Sequence, residues 1–562
     1  MPTATDLQLV DDLIALARLR GDSADAQRWA QVRPHMAPPD AHAPAHLVPD
    51  SRDLAALTRD GWIVREQAIA DLPSDLRWLF ESGAASLDEI ARLVQAVDTV
   101  TLADLRSAIA SGAARDSGAL SADVVHAIAE ALPALRSQVP RIPLGRALYV
   151  ATLVLDAVRR APGVVWTEPA GSLRRGYDLV GDIDLVVCGD DTAAVIESVT
   201  AVDGSRLLYR APRRVIAAVG HTQVSLRIVP ATDAAPTLLY ATGHHGHVAQ
   251  LERLAATQKM TLSRRGLFTS EGRARHGATE DTLYGAVGLP FIPAELRRGE
   301  DEIERARAGA IPDLVQRTDL LGDLHTHTTW SDGRDDVEAM AREAVRLGHR
   351  YLAITDHSPS SDAAKKLHPD DVARQADEVA RVRELFPQLT LLHGCEVDIL
   401  RDGRLDFPDK TLRRFDFVIA SLHDRAGQSS QQLFRRYLAA MLHPLVGMIT
   451  HPANRHFPRA DGYDLDYDRL FEAAIETRTA LEIDGAPSHI DLEASLAARA
   501  AARGVLLAIN SDGHAVGHLD RHLQIGVLTA RRAAVERTQV LNARPWPEIR
   551  AILAAKRRGF PV

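Results

Sequence analysis

From Leu320 onward, short apolar segments alternate with helical ones, and that rhythm restricts the fold more than any other feature of the chain. Seven candidate strands end near Leu324, Ile354, Leu392, Ile419, Ile449, Ile483 and Ile509, each followed by a helical stretch. Parallel strands need long crossovers, so this alternation is the signature of parallel βα units. A parallel sheet closed into a barrel places its chemistry at the carboxyl ends of the strands. Six of the seven ends carry metal-type side chains: His325 and His327, His357, Glu396, His423, His451, and Asp512 with His514. Asp332 follows in the loop after the first pair.

Spacing sharpens the chemistry. His325 and His327 are two apart, so on extended backbone both imidazoles share one face and reach one ion. Asp512 and His514 repeat the arrangement. Nine such groups are more than one metal needs and imply two or three ions, and mixed imidazole and carboxylate donors suit Zn, Mn or Fe. Phosphodiester hydrolysis needs an activated water and a stabilised leaving oxygen. Paired metals roughly 4 Å apart serve both needs, and a bound ion lowers the pKa of water toward neutrality.

Upstream the pattern differs. Residues 1–140 read as helices: Leu9, Val10, Leu13, Ile14, Leu16 and Ala17 recur at helical spacing, and Ser86 with Glu89 forms a capping signature. A Pro-, Ala- and His-rich loop is expected at Pro34–Pro49. Helical patterns continue through Ser86–Val97 and Thr101–Ser111. Residues 141–230 mix helix and strand, with strands expected at Asp182–Cys188 and Gln223–Val229, and 231–315 is punctuated by Gly and Pro, with a helix and linker at its end. In this middle region Asp182 and Asp184 are two apart on a strand, a pair that can hold Mg or Mn against a triphosphate. Gly171, Ser172 and Arg175 just before them offer donors and charge to phosphate.

A chain of 562 residues is too long for one hydrophobic core. Only two cysteines, Cys188 and Cys395, exclude a disulfide scaffold or Cys-based zinc finger and fit a reducing cytosol, so a cytoplasmic location is expected. The first residues lack a basic start followed by an apolar block, so no secretory signal is expected. No charge-free run of 18 apolar residues occurs, so no membrane span is expected. A net charge of −9 argues weakly against strong non-specific nucleic-acid affinity and leaves local basic patches open.

The motifs GDLHTHTTWSDG, AITDHS, GCEVDIL, ASLHD, ITHP and INSDGH resemble the PHP (polymerase and histidinol phosphatase) family. The resemblance covers about 320–562 and implies a distorted (β/α)7 barrel with a trinuclear site. It makes His325, His327, Glu396, Asp512 and His514 catalytic, with Glu396 bridging two ions. Relatives usually have Asn in place of Asp484, whose expected role is to cap a turn, with a supporting role at the metals as the alternative. Residues 170–187, AGSLRRGYDLVGDIDLVV, resemble the nucleotidyltransferase palm of family X DNA polymerases. Leu239-Tyr240-Ala241-Thr242-Gly243 resembles the thumb signature. The implied architecture is multidomain α/β: a helical N-terminal region with helix-hairpin-helix elements, a palm and thumb, and the PHP barrel.

Several positions depart from that family. Its third palm carboxylate falls where this chain has Ser225, in Val224-Ser225-Leu226-Arg227. A hydroxyl supplies neither charge nor useful basicity, so a rate loss of roughly 10²-fold or more is expected. Ala241 stands where relatives carry Phe, and Val248 where a polar residue is expected. His244, His245 and His247 are expected in an exposed loop, with metal binding the lesser alternative. The hairpins at Glu81–Ala85 and Ser117–Ser121 each keep one glycine of a Gly-x-Gly, so weak phosphate binding is expected. The resemblance implies a metal-dependent 3′→5′ exonuclease acting on DNA 3′ ends or gaps, linked to repair, with nucleotide binding retained and polymerase activity lost or impaired. The alternatives are a phosphatase on a small phosphomonoester, a still active polymerase with exonuclease, and a non-enzymatic DNA-binding protein. The oligomeric state stays open.

Overall fold

The N-terminal region is helical because its apolar residues recur at helical spacing. The computed structural model describes residues 4–36, 51–138, 140–274, 279–424, 427–460 and 462–559. In α1 (Ala4–Leu19) the six residues from Leu9 to Ala17 named above are all buried. Helix α2 (Ser74–Glu81) is followed by α3 (Leu87–Val97), which opens on the reciprocal Ser86–Glu89 capping box. Helix α4 (Leu102–Ala110) and α5 (Ala122–Gln138) complete this layer. Of the loop expected at Pro34–Pro49, the start falls in a 3₁₀ turn (Arg33–Met36) and the rest lies outside the described residues.

The middle region is a five-stranded sheet: β1 (Val164–Pro169), β2 (Ile183–Gly189), β3 (Ser205–Ala211), β4 (Arg214–Val219) and β5 (Thr222–Val229). The order is β1-β2-β5-β4-β3, with only β2 and β5 parallel. Helix α6 (Leu144–Val158) packs its buried face on this sheet through Leu144, Ala147, Val154 and Val158. Beyond it, α7 (His245–Thr257) precedes a hairpin of Met260–Ser263 and Gly266–Thr269.

The C-terminal region is a parallel sheet in sequential order: β6 (Gly322–Asp323), β7 (Tyr351–Ile354), β8 (Thr390–Asp398), β9 (Phe417–Ser421), β10 (Val446–Ile449), β11 (Ala480–Asp484) and β12 (Leu507–Asn510). A bridge between Thr326 and Gly513 brings the last strand back to the first, leaving a near-closed barrel. Most of these strand residues are buried on both faces, which is why they read as continuous apolar runs rather than alternating ones. Tyr351, Phe417 and Met448 fill the interior, and α9 (Trp546–Gly559) contributes Ile549 and Leu553 to the same core.

Palm-like sheet and barrel share a packed seam. Gly145 of α6 lies against Pro487, and a β-carbon there would come within 2.7 Å of the proline ring. Ile525 of α8 (Val516–Arg532) and Ile490 join the core behind α6. Asp178 accepts from Arg455 and Arg532, both at 3.2 Å, and the Arg532 guanidinium stands 4.0 Å over the Tyr177 ring.

Candidate metal centre

Glu396 sits at the middle of the barrel cluster, fully buried. It lies inside β8 rather than just past a strand end at Leu392 as the sequence suggested. The strand runs on to Asp398 because it pairs first with β7 and then with β9. The two carboxylate oxygens face different histidines. Oε2 lies 2.8 Å from His357 Nδ1, 3.4 Å from His325 Nε2 and 3.5 Å from His327 Nε2. Oε1 lies 3.1 Å from His451 Nε2 and 3.6 Å from His423 Nε2.

The remaining predicted ligands close the cluster. Asp512 Oδ1 is 3.1 Å from His327 Nε2 and 3.4 Å from His325 Nε2, and those two nitrogens are 3.0 Å apart. Asp332 Oδ1 lies 3.3 Å from His514 Nε2 and 3.6 Å from His357 Nε2. Donors about 2.1 Å from a shared ion stand roughly 3.0–3.5 Å apart, so these spacings are those of a coordination polyhedron. In three groups drawn from the nine ligands one donor atom from each residue lies within 4.8 Å of the others: His327, Asp332, His357 and His514; His325, His327 and Asp512; His357, Glu396 and His423. His327 Nδ1 and His451 Nδ1 are buried without a hydrogen-bond partner among the described residues. Such groups are costly unless something else satisfies them. The donor set therefore fits divalent cations.

Two of the groups are held in states that suit metal binding, while carboxylates beside His325, His357, His423 and His514 outweigh burial and raise those imidazoles. Burial raises the Glu396 carboxyl, but His357 and His325 outweigh it and hold the group well below the usual carboxylate range. Burial, with His514 and His357 beside it, lowers His327 to about 3, so its imidazole is neutral with a free lone pair. His451 and Asp512 both have positive φ, at 28° and 45°. Backbone strain of this kind persists where surrounding structure fixes it, and it aims both side chains inward.

A supporting layer lies behind the ligands, and the sequence reading missed most of it. Glu482 Oε1 takes His325 Nδ1 at 2.9 Å, and its Oε2 accepts from His451 N at 2.9 Å. Asp398 Oδ1 lies 2.9 Å from His423 Nδ1. Such partners fix the tautomer and orientation of a ligating histidine. An acid in a strand otherwise apolar, as in Leu481-Glu482-Ile483, was the available signal. Asp484 does cap a turn as expected, with Oδ1 accepting from Ala486 N at 2.7 Å.

In the palm-like region, Asp184 on β2 lies in register with Ser225 on β5, so the hydroxyl stands where a third carboxylate would complete the set. Asp182 immediately precedes the strand, and Gly171 is close enough that a β-carbon there would lie 3.6 Å from Asp184 Oδ2. Ser172 is half-buried beside it. Arg175, expected to meet phosphate, instead donates to the Thr242 carbonyl and lies 5.2 Å over the Tyr177 ring.

Helices of the N-terminal region cover these carboxylates. Asp104 of α4 takes Arg214 of β4 at 3.0 Å and Arg227 of β5 at 2.9 Å. Asp98 takes the other Arg227 nitrogen at 3.2 Å. Asp75 at the start of α2 accepts from Leu102 N at 2.7 Å and is buried. Burial, with Asp184 and Asp104 nearby, raises its carboxyl to about 6. The hairpin glycines Gly83 and Gly118 both adopt positive φ in turns after helices.

The three histidines near residue 245 do not form an exposed loop. His244 caps α7, and His247 is fully buried, with Nδ1 2.8 Å from Glu302 and Nε2 2.7 Å from the Tyr284 hydroxyl. Both partners come from distant sequence, which local reading could not supply. Val248 is buried beside them. Among the described residues no helix is long and apolar enough to cross a membrane.

Known proteins align with this arrangement. The family described as PHP domain matches residues 323–486, and the family described as DNA polymerase beta thumb matches 237–298. A Bacillus subtilis (strain 168) protein named DNA polymerase/3′-5′ exonuclease PolX is 32% identical over 431 residues, covering 76% of this chain and 75% of that one. A probable phosphatase of Caldanaerobacter subterraneus subsp. tengcongensis is 30% identical over 220 residues, 37% of this chain and 82% of that one. A probable phosphatase of Syntrophotalea carbinolica is 32% identical over 167 residues, 29% of this chain and 64% of that one.

Proposed function

The chain belongs to the family X DNA polymerases that carry a C-terminal PHP domain, and on that premise we propose that it is a metal-dependent phosphoesterase whose barrel shortens DNA from 3′ ends, at recessed or gapped sites met in repair. The observation that carries the reading is Glu396, whose two oxygens divide the histidines into His325, His327 and His357 on one side and His423 and His451 on the other. Zn, Mn or Fe held there supplies positive charge for the phosphoryl oxygens and acidifies a water at neutral pH. The chain's own residues hold the geometry: Glu482 orients His325, Asp398 orients His423, and Asp332 and His514 close the outer edge.

Synthesis is lost or impaired on this reading. Ser225 removes a charge from the set that would hold Mg or Mn at Asp182 and Asp184. Arg214, buried and paired to Asp104, brings a fixed cation to the same face. The test uses the full chain with Mn²⁺ and a 3′-recessed duplex, with and without nucleotides. Primer shortening that disappears in the His325→Ala/His327→Ala double variant is the expected result. Primer extension by the unaltered chain would overturn the loss of synthesis.

A second reading, a phosphatase acting on a small phosphomonoester, draws support from the relatives that cover 37% and 29% of the chain and are named probable phosphatases. Rapid phosphate release from a monoester with no action on DNA would favour it.

A further inference from the structure

The last residue of β11 and the loop that follows carry donors outside the nine predicted ligands. Asp484 is fully buried, and while Oδ1 caps the turn, Oδ2 has no hydrogen-bond partner among the described residues. His489, on the same loop, likewise buries Nδ1 without a partner and stacks on His451 with ring centroids 5.4 Å apart. One donor atom from each of Asp484, His489 and Asp512 lies within 4.8 Å of the others. Donors on a shared ion at about 2.1 Å stand roughly 3.0–3.5 Å apart, so the three side chains need only draw together to hold one cation. A buried oxygen left unsatisfied costs about 1–3 kcal/mol, more when charged.

The loop is held from several sides. A β-carbon on Gly485 would come within 1.9 Å of the His522 carbonyl, so only glycine allows this approach. Asp491 N donates to Asp484 O at 3.2 Å, and the Asp491 carboxylate accepts from Ala453 N at 3.0 Å and Arg455 N at 2.9 Å. Pro487 seats on Gly145 of α6.

We propose that Asp484, His489 and Asp512 form an additional divalent-cation position on the palm-facing rim of the centre. Two carboxylate oxygens and an imidazole suit a borderline ion, Zn²⁺ or Mn²⁺. The position shares Asp512 with the main cluster and rests on the reading of that cluster as a metal centre. A cation there adds phosphate-binding charge on the side of the barrel that meets the palm-like sheet.

The test is a count of bound ions. Metal-stripped full-length chain is titrated with Mn²⁺, free ion is followed by electron paramagnetic resonance, and bound ion is confirmed by elemental analysis after gel filtration. The unaltered chain is expected to hold one equivalent more than Asp484→Asn, which keeps the cap to Ala486, and one more than His489→Gln. If His489→Gln does not fold, the isosteric Asp484→Asn decides alone. Equal counts overturn the proposal and leave the main centre standing. Loss of every ion in Asp484→Asn also overturns it, because the residue would then belong to one cooperative centre. No binding by the unaltered chain removes the metal-centre reading itself.

Discussion

In the barrel, Glu396 and Asp512 face imidazoles; in the palm-like region, Asp104 faces two guanidinium groups, with Asp184 close by. Both places crowd carboxylates among buried strands, and both neutralise them with basic side chains. The bases differ in what they can release. An imidazole gives up its proton near neutral pH and offers a lone pair to a metal, whereas a guanidinium keeps its proton and has no acceptor. The barrel's charge balance can therefore be exchanged for ions, and the palm's is closed by the protein itself. Retention of acids at a site says little about its chemistry until their counter-charges are known.

The largest test of this contrast is Glu396→Gln. It removes the charge that both histidine groups share, so Mn²⁺-dependent shortening of a 3′-recessed primer should fall by roughly 10³-fold or more, since a placed metal is worth several kcal/mol. Bound metal measured on the same sample should fall with it. Full metal content and activity in the variant would break the distinction on the barrel side.

Next in size is Arg214→Met. Removing one partner of a buried ion network costs about 3–5 kcal/mol, here moderated because Arg227 still reaches Asp104. Urea unfolding should show a loss of about 2–4 kcal/mol. The acid response should change as well. Burial raises the Asp104 carboxyl, but Arg214 and Arg227 outweigh it and hold it below the usual range. A depressed carboxyl stabilises the fold fully above its unfolded pKa of about 4, and that stabilisation is lost as pH falls further. The variant should lose less stability on acidification than the parent, and an unchanged acid limb would break the palm side of the comparison.

The smallest expected effect, and the one that sharpens the contrast most, is Asp75→Asn. This carboxyl is raised to about 6 by burial and by its acidic neighbours, so between pH 6 and 4 the folded state binds more protons than the unfolded one. Wild-type stability from this group therefore rises as pH falls through that window. Asparagine keeps an acceptor for Leu102 N and removes the charge, so it should stabilise by about 1–2 kcal/mol at pH 7. Thermal melts at pH 7 and pH 4 should show the gain at the first and not at the second.

The sequence announced the barrel because its information is local. Strand, turn and ligand lie within a few residues of each other at His325, His357, His423, His451 and Asp512. The i, i+2 spacing of His325 and His327 carried through to nitrogens 3.0 Å apart. Glu396 slipped because its strand changes neighbours partway along, and neither neighbour is visible from its own segment. The Asp104–Arg214 pair joins residues 110 apart, and His247 to Glu302 joins residues 55 apart. Nothing in either segment marks its partner, because packing rather than periodicity selects the pair. Ser225 was legible as a missing charge, whereas the cationic face beside it was not.

The seam at Gly145, Pro487, Asp178, Arg455 and Arg532 has a practical consequence for anyone cutting this chain apart. A fragment beginning at the barrel would leave Ile490 and Ile525 facing water, and it would strip both arginines of their shared carboxylate. Poor behaviour of such a fragment would report on a torn surface rather than on chemistry. The palm-like module would be required as a wall whatever its own chemistry.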